Sequence, residues 1–592
     1  MSDFLYLSDP KNSRKLAAHI RAIYRRDTPL TWEYHGPWGS LAVSQGHYMG
    51  FSPVETSSHL CAIIGGPVLC FRDNSFLTGN DPLAGTRSIL ERWQSGQMNW
   101  ADDVSGPFVA LLIDKENFEI QCVTDLMMFI PVYQHIGEAG LTLGTHVDAV
   151  AEACGKSHEF DEVSLADFIL HDAVTYPHTA YQEVYQAYPA AIRRYQVDKH
   201  GCVSPFNTEL YWQPNEEYEY FCLDDAARML RTGVQAHVNL VTEGMDHVAQ
   251  FISAGEDSRA VAGMLPTRLK RDAYIFLDTM NWEGKIAEKA SQAYNLNFHR
   301  ASRSATHYLE ILSEANALVG LGHAYYHAHS LGFHKSCALR KYPAVFGGYL
   351  SDSLLKGIYS RKVPWCDYVS LFPKIEMKGE SRSRDVRNPL FTETCLDRIT
   401  ERRREHLTLV SSFRKVSAHE WFTLWPMTMR TTISYNYSNR RLFASCEPFT
   451  ANHIIKLSAT VPTRWKLNSR LFRAAMHPML KKSRWLPSAK GGLPYFPWWA
   501  SAGLQIWVCC QIQAAKHFSL IKQNQGPWAD WNAIIKSKSF HTLVERARKP
   551  ARQTAVTDDL VNGKNALLST SLSVQQRLNI LQIVDTLARI DQ

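Results

Sequence analysis

The stretch FISAGEDSRA, Phe251 to Ala260, constrains this chain more than any other. A short apolar run (Val248, Phe251, Ile252) gives way to Ser-Ala-Gly-Glu-Asp-Ser and then at once to a helical pattern (Ala260, Val261, Met264, Leu265). Strand, small-residue loop and helix start in that order predict a nest of backbone N–H groups aimed by a helix dipole, a natural anion site. Ser253 and Ser258 add hydroxyl donors, and Asp257 adds a carboxylate suited to hold Mg²⁺ beside phosphates. The stretch matches neither G-x-x-x-x-G-K-S/T nor G-x-G-x-x-G, which disfavours kinase-type and dinucleotide sites. Taken alone, it also suits an ordinary strand-to-helix turn.

At 592 residues the chain is long enough for two or more cores. Its 45% hydrophobic and 20% charged content is that of a globular protein. The net charge of +7 is small for this length. The densest basic runs, Arg398 to His406 and Lys378 to Arg387, read as a solvated helix face and a charged loop, so no nucleic-acid partner is expected. Twelve cysteines are scattered without a C-x-x-C pair, which favours a reducing compartment, the cytoplasm, and disfavours structural zinc. The N-terminus lacks an apolar h-region, so no signal peptide is expected. The uncharged segment Gly491 to Ala515 carries Pro494, Pro497 and three glutamines, and is expected to be a buried helix rather than a membrane span.

Residues 1–213 read as short strands and turns, among them His59–Phe71, Gly106–Asp114 and Phe118–Asp125, with β-branched and aromatic residues in alternating polarity. That pattern suits packed antiparallel sheets. Ile89, Leu90 and Trp93 mark one helix. A polar stretch near residue 215 places the domain boundary between 1–213 and 216–592. Beyond it, helix (Asp224–Val241), strand (Val248–Ile252), helix, strand (Ala273–Leu277) and helix (Glu283–Tyr294) alternate, implying a parallel sheet with crossover helices. From about 400 onward the pattern is mostly helical, with breaks expected at Pro448, Pro462, Pro478 and Pro487. No internal repeats are visible.

Several motifs carry a family resemblance. The Ser253–Ser258 loop resembles the S-G-G-x-D-S pyrophosphate loop of asparagine-synthetase-like enzymes, which cleave ATP to AMP and pyrophosphate. In the first domain, Gly106, Phe108, Asp114, Asp125, Pro131, Tyr133, Gly144 and Thr145 resemble the glutaminase domain of asparagine synthetases. The fold so implied is a two-domain one: an αββα N-terminal-nucleophile sandwich, then a Rossmann-like α/β synthetase domain with a helical C-terminal part. The matches are mostly structural positions, so they speak for fold. Glutaminase activity needs an N-terminal cysteine whose α-amino group serves its own thiol as base. Residue 2 is Ser2, and Gly65-Gly66-Pro67 stands where the family has Asn-Gly-Glu. The domain is therefore expected not to hydrolyse glutamine, and neither Cys61 nor Cys70 lies in a processing-like context.

In VFGGYLSDSLLKG, Val345 to Gly357, the resemblance makes Gly348 a phosphate contact and Asp352 the second metal carboxylate beside Asp257. The implied binding set is thus Ser253, Ala254, Gly255, Asp257, Ser258 and Gly348, with Mg²⁺ on Asp257 and Asp352. Tyr349 stands where β-lactam synthetases carry the tyrosine of a tyrosine–glutamate base, and where asparagine synthetases carry glutamate. Pro448 and Phe449 resemble the family's E-x-R-x-P-F-L-D lead, but Ala444, Cys446 and Ala451 replace its Glu, Arg and Asp; Glu447 is the neighbouring carboxylate for an orienting role. These departures disfavour aspartate as substrate. Lys490, followed by Gly491, matches the lysine that stabilises charge during adenylation. The i, i+4 pair His323 and His327 is expected to be a packed set rather than a metal site.

Together these imply an ATP- and Mg²⁺-dependent ligase that activates a small-molecule or peptide carboxylate as an acyl-adenylate for capture by an amine. The resemblance is to the β-lactam synthetase and lasso-peptide cyclase branch, with a partner biosynthetic protein and a homodimer left open. The alternatives are an ammonia-dependent amidotransferase on a small or sugar acid and a non-catalytic ATP-binding scaffold.

Overall fold

The computed structural model describes residues 1–9, 16–137, 140–198, 200–204, 207–220, 222–359, 391–489, 491–517, 526, 528–551 and 572–590. Its first part holds two six-stranded antiparallel sheets. One runs in the order Tyr185–Gln186, Tyr133–Gly137, Gly140–Gly144, Phe4–Leu7, Gly39–Ser44, Thr31–Gly36. The other runs Asn207–Leu210, Ala191–Gln196, Glu119–Thr124, Phe108–Asp114, His59–Gly65, Val54–Glu55.

The period-2 alternation of strands assigns the layers. Phe4 and Tyr6 join Leu60, Ala62, Ile64 and Val109 in a core between the two sheets. Their neighbours Leu5 and Leu7 face the helices Leu16–Tyr24, Val147–Ala153 and Glu162–His171. On the far side Cys61, Ile63, Ala110 and Leu112 pack with Ile89 and Leu90 of the helix Ala84–Gln94. Helix, sheet, sheet, helix is the layering the motifs of residues 1–213 implied.

The second part centres on a five-stranded sheet, ordered Asn297–Ser302, Lys270–Leu277, His247–Phe251, Val345–Phe346, Ser445–Cys446, with every pairing parallel. The helices Leu223–Val241, Glu256–Met264 and Trp282–Ala293 alternate with its strands, as the sequence pattern predicts. Strand order reverses beside His247–Phe251, and the crevice at the carboxyl ends of strands at such a switch point is where these sheets bind ligands.

The two parts share apolar packing. One core joins Leu5, Val150 and Phe168 of the antiparallel part to Leu318, Ile399, Leu581 and Val584 of the rest. A buried polar contact adds to it: Arg441 donates to both Asp3 carboxylate oxygens, at 2.6 and 2.9 Å, and Arg440 pairs with Asp3 at 3.2 Å.

Three expectations about the helical part are corrected. Pro478 lies inside the helix Arg470–Leu480, in its last turn, where the missing N–H costs a single rung of the ladder. The run Arg398–His406 is not simply a solvated face: Arg403 and His406 are buried, and Arg402 pairs with Asp161 at 2.9 Å. The segment after Gly491 forms the helix Trp498–His517, but Leu504, Ile506 and Trp507 are exposed on it, so it is not a buried helix. Lys378–Arg387 lies outside the described residues. Among the described residues no helix is long and apolar enough to cross a membrane.

Candidate functional site

The strand His247–Phe251 ends at Phe251, and the nine-residue helix Glu256–Met264 begins five residues later. Between them the loop folds on its own hydroxyls. Ser253 N–H donates to Ser258 Oγ at 3.0 Å, Gly255 N–H donates to Ser253 Oγ at 3.1 Å, and the two hydroxyls lie 3.0 Å apart. Ala254 does not take positive φ, so its β-carbon strains nothing. Its N–H donates to the buried carboxylate of Glu283 at 2.7 Å. One N–H of the expected anion nest is thus already engaged by an acidic side chain of the protein itself.

The second wall comes from Val345–Phe346 and the glycine-containing turn after it. Gly348 lies so close to the loop that a β-carbon there would sit 3.0 Å from Asp257 Cβ. Leu350 takes the left-handed conformation (φ 74°), sparsely populated by a branched aliphatic residue, and opens a π-helical turn over Ser351–Leu355. That turn carries Asp352 toward Asp257, so the structure brings together the two carboxylates that the resemblance pairs.

Neither carboxylate is free. Lys356, one turn after Asp352, places its Nζ 2.5 Å from Asp257 Oδ1, 2.9 Å from Asp352 Oδ1 and 3.1 Å from Glu256 Oε1. Glu256 is held on its other oxygen by Arg473 Nε at 3.0 Å. The Lys356 side chain is only 8% exposed, and its ammonium stands 4.5 Å from the centre of the Phe472 ring. Burial pushes the Asp257 carboxyl up, Lys356 pulls it back, and Asp352 and Glu256 push it up again, to about 7. Asp352 moves the other way: burial raises its carboxyl, but Lys356, with Asp257 and Arg430, brings it below its usual value. As arranged, these residues do not fit Mg²⁺ on Asp257 and Asp352: the position between them is filled by an ammonium at ammonium distances, where the metal would need oxygens at about 2.1 Å.

Glu447 lies on the third wall, after Ser445–Cys446. Its Oε2 accepts the Tyr349 N–H at 2.9 Å, and Gly347 makes room, since a β-carbon there would fall 2.2 Å from Glu447 Oε1. Burial pushes the Glu447 carboxyl up to about 8, against the pull of the Tyr349 N–H and the Tyr435 hydroxyl. The Tyr349 hydroxyl instead donates to Thr432 O at 3.0 Å, and its ring stacks on Tyr435 at 5.2 Å and under Arg430 at 4.6 Å. Burial raises that hydroxyl, and Arg430 pulls it back. The expected tyrosine–glutamate pair therefore meets through the Tyr349 backbone, and the tyrosine hydroxyl acting on Glu447 is that of Tyr435.

Lys490 lies outside the described residues. Its neighbours close a turn, Gly491 N–H to Ser488 O at 2.9 Å and Ser488 N–H to Gly492 O at 2.7 Å. Arg259, buried on the loop's own helix, ties this turn to the crevice by donating to Leu486 O at 2.8 Å, Pro487 O at 2.5 Å and Ala254 O at 2.7 Å. Lys356, Arg473, Glu283, Tyr435 and Arg259 are the residues the motif reading passed over. The available signal was charge inside apolar runs: Lys356 closes Ser-Leu-Leu-Lys-Gly, and Glu256 interrupts the small-residue loop.

In the antiparallel part, Met1 and Ser2 are buried, Gly65 N–H donates to Met1 O at 2.8 Å, and Ser2 Oγ has no hydrogen-bond partner. The Tyr48 ring packs on Gly66, where a β-carbon would come within 2.1 Å of it, and its hydroxyl donates to Ser445 O at 2.9 Å. His323 accepts or donates one bond with the Tyr133 hydroxyl at 2.6 Å, and burial lowers both His323 and His327 to about 3. They are neutral packed histidines. Among the described residues no group of three or more His, Cys, Asp and Glu is placed to hold a metal.

No family model matches the chain, and no curated protein does. Solved structures similar at low identity include two enzymes. One is an allosteric regulatory enzyme of purine biosynthesis, 9% identical over 42% of this chain and 60% of that one, with a TM-score of 0.24. This chain thus spans less than two thirds of that enzyme's length. The other is the glutamine phosphoribosylpyrophosphate amidotransferase of B. subtilis complexed with ADP and GMP, 7% identical over 52% of this chain and 92% of that one, again with a TM-score of 0.24. At such scores neither likeness bears on activity.

Proposed function

We propose that this chain is an ATP-dependent carbon–nitrogen ligase that activates a carboxylate as an acyl-adenylate and passes it to an amine without a working glutaminase. The observation that carries this reading is the convergence of the Ser253–Ser258 loop, the Gly347–Asp352 turn and Glu447 at the switch point of the parallel sheet. The division into residues 1–213 and 216–592 belongs to the same reading.

In this scheme the substrate carboxylate attacks the α-phosphorus, pyrophosphate leaves, and the amine displaces AMP from the acyl-adenylate. The Ser253 and Ser258 hydroxyls and the start of the helix Glu256–Met264 face the phosphates. Arg259 holds the segment just before Lys490 by donating to Leu486 O and Pro487 O, and in this scheme the Lys490 ammonium would offset charge as pyrophosphate departs. Glu447, its carboxyl pushed up to about 8, is protonated at neutral pH and takes the orienting role toward the amine, becoming a base for it only as pH rises through about 8. The buried Ser2 and the Tyr48 ring over Gly66 favour an amine that is not released from glutamine.

A second reading, a nucleotide-binding scaffold, is favoured by Glu283 on the Ala254 N–H. Pyrophosphate and AMP release with a panel of acids, run with ammonia, with glutamine and with neither, separates the two. Acid-dependent AMP formation supports the ligase. ATP binding with no AMP from any acid supports the scaffold. Glutamate release from glutamine would refute the glutaminase-independent part.

A further inference from the structure

Resting on the reading of this crevice as the phosphate site, we propose that Lys356 is its resident cation, standing where a divalent metal would otherwise bridge Asp257 and Asp352.

Proximity is the first ground. The Lys356 ammonium stands 2.5, 2.9 and 3.1 Å from carboxylate oxygens of Asp257, Asp352 and Glu256, an ion-pair contact with all three. Anchoring is the second. Leu354 and Leu355 are fully buried, and Gly357 (φ 62°) turns the chain away just after, so the lysine stem is fixed at its root. Its head is capped by the Phe472 ring. Charge is the third. Glu256, Asp257 and Asp352 face Lys356 and Arg473, three carboxyl groups crowded around two cations. A doubly charged ion in the same place would lie against the ammonium, and like charges at such a distance repel strongly in a buried site. Lys356 and Arg473 between them hold both oxygens of the buried Glu256, so the cluster leaves that carboxylate paired on both sides.

Metal binding without nucleotide tests this, with Mn²⁺ as the probe and its electron paramagnetic resonance as the readout. The wild-type protein is expected to hold no Mn²⁺ that Asp257→Asn removes. Lys356→Met, which leaves three carboxylates facing one another, is expected to gain a single Mn²⁺ site, with affinity at least about tenfold above any wild-type binding and lost again in Lys356→Met/Asp352→Asn. Mg²⁺ should correspondingly raise the melting temperature of Lys356→Met and leave that of wild type unchanged. Wild-type Mn²⁺ binding abolished by Asp257→Asn would overturn the proposal. So would a folded Lys356→Met, verified by circular dichroism, that binds no more Mn²⁺ than wild type. Should Lys356→Met not fold, Lys356→Gln and the wild-type comparison with Asp257→Asn decide the matter. Failure of ATP to bind, followed by calorimetry, would instead count against the nucleotide reading and leave the metal result standing.

Discussion

Replacing Glu447 by glutamine should remove a defined part of the protein's pH dependence. Glu447 is 5% exposed, and burial lifts its carboxyl from 4.5 to about 8. Between those values the folded protein holds a proton on Glu447 that the unfolded chain has released. The unfolded state therefore binds fewer protons, and stability falls as pH rises through this window. Each pH unit is worth about 1.4 kcal/mol, so the full loss is on the order of 5 kcal/mol, complete above about pH 8. Glutamine keeps an oxygen for the Tyr349 N–H and cannot titrate. Glu447→Gln should match wild type near pH 5 and exceed it by several kcal/mol at pH 8.5. Asp257 and Asp125, both lifted to about 7 by burial, tilt the two proteins alike and cancel in the difference. Urea midpoints measured by tryptophan fluorescence and circular dichroism from pH 5 to 8.5, compared at a shared m value, give that difference. Two curves running parallel across the range would refute the assignment of a protonated, buried Glu447 at neutral pH.

Asp3→Ala should cost about 3–5 kcal/mol, because it strands the Arg440 and Arg441 guanidinia in the core; thermal melts at pH 7 measure it. Gly347→Ala should displace the Glu447 carboxylate, since the new β-carbon would fall 2.2 Å from its oxygen, and AMP formation should drop further than ATP affinity. Lys490→Met should slow substrate-dependent AMP formation by about 10²–10³ with a smaller effect on nucleotide binding by calorimetry, and an unchanged rate would make Lys490 an ordinary surface lysine. Thiol alkylation should leave any AMP formation intact, because Cys61 and Cys122 are buried with thiols pushed far up by burial; loss of activity on alkylation would point to a working cysteine.

The sequence by itself determined the local elements. Short apolar runs rich in β-branched residues, His59–Gly65 and Phe108–Asp114, marked strands, though their burial on both faces leaves no alternating polarity to read, and the strand–helix alternation after Leu223 marked the parallel sheet, because such patterns are properties of neighbouring residues. The loop Ser253–Ser258 was legible for the same reason: its chemistry lies within a few consecutive residues. What the site does with its charges was not legible. Lys356 reads as one more basic residue until the π-helical turn folds it onto Asp257, distant in sequence, and Glu283 reads as a surface helix residue until it meets the Ala254 N–H. The hydroxyl of Tyr349 and the carboxylate of Glu447 were paired by motif, yet the turn at Leu350 sends the hydroxyl to Thr432 and leaves only the backbone N–H for the acid. Motifs carry residue types at fixed spacing. Which buried charge meets which partner depends on contacts between segments far apart in the chain, and only the tertiary structure decides those, since burial makes each unpaired charge too costly to leave alone.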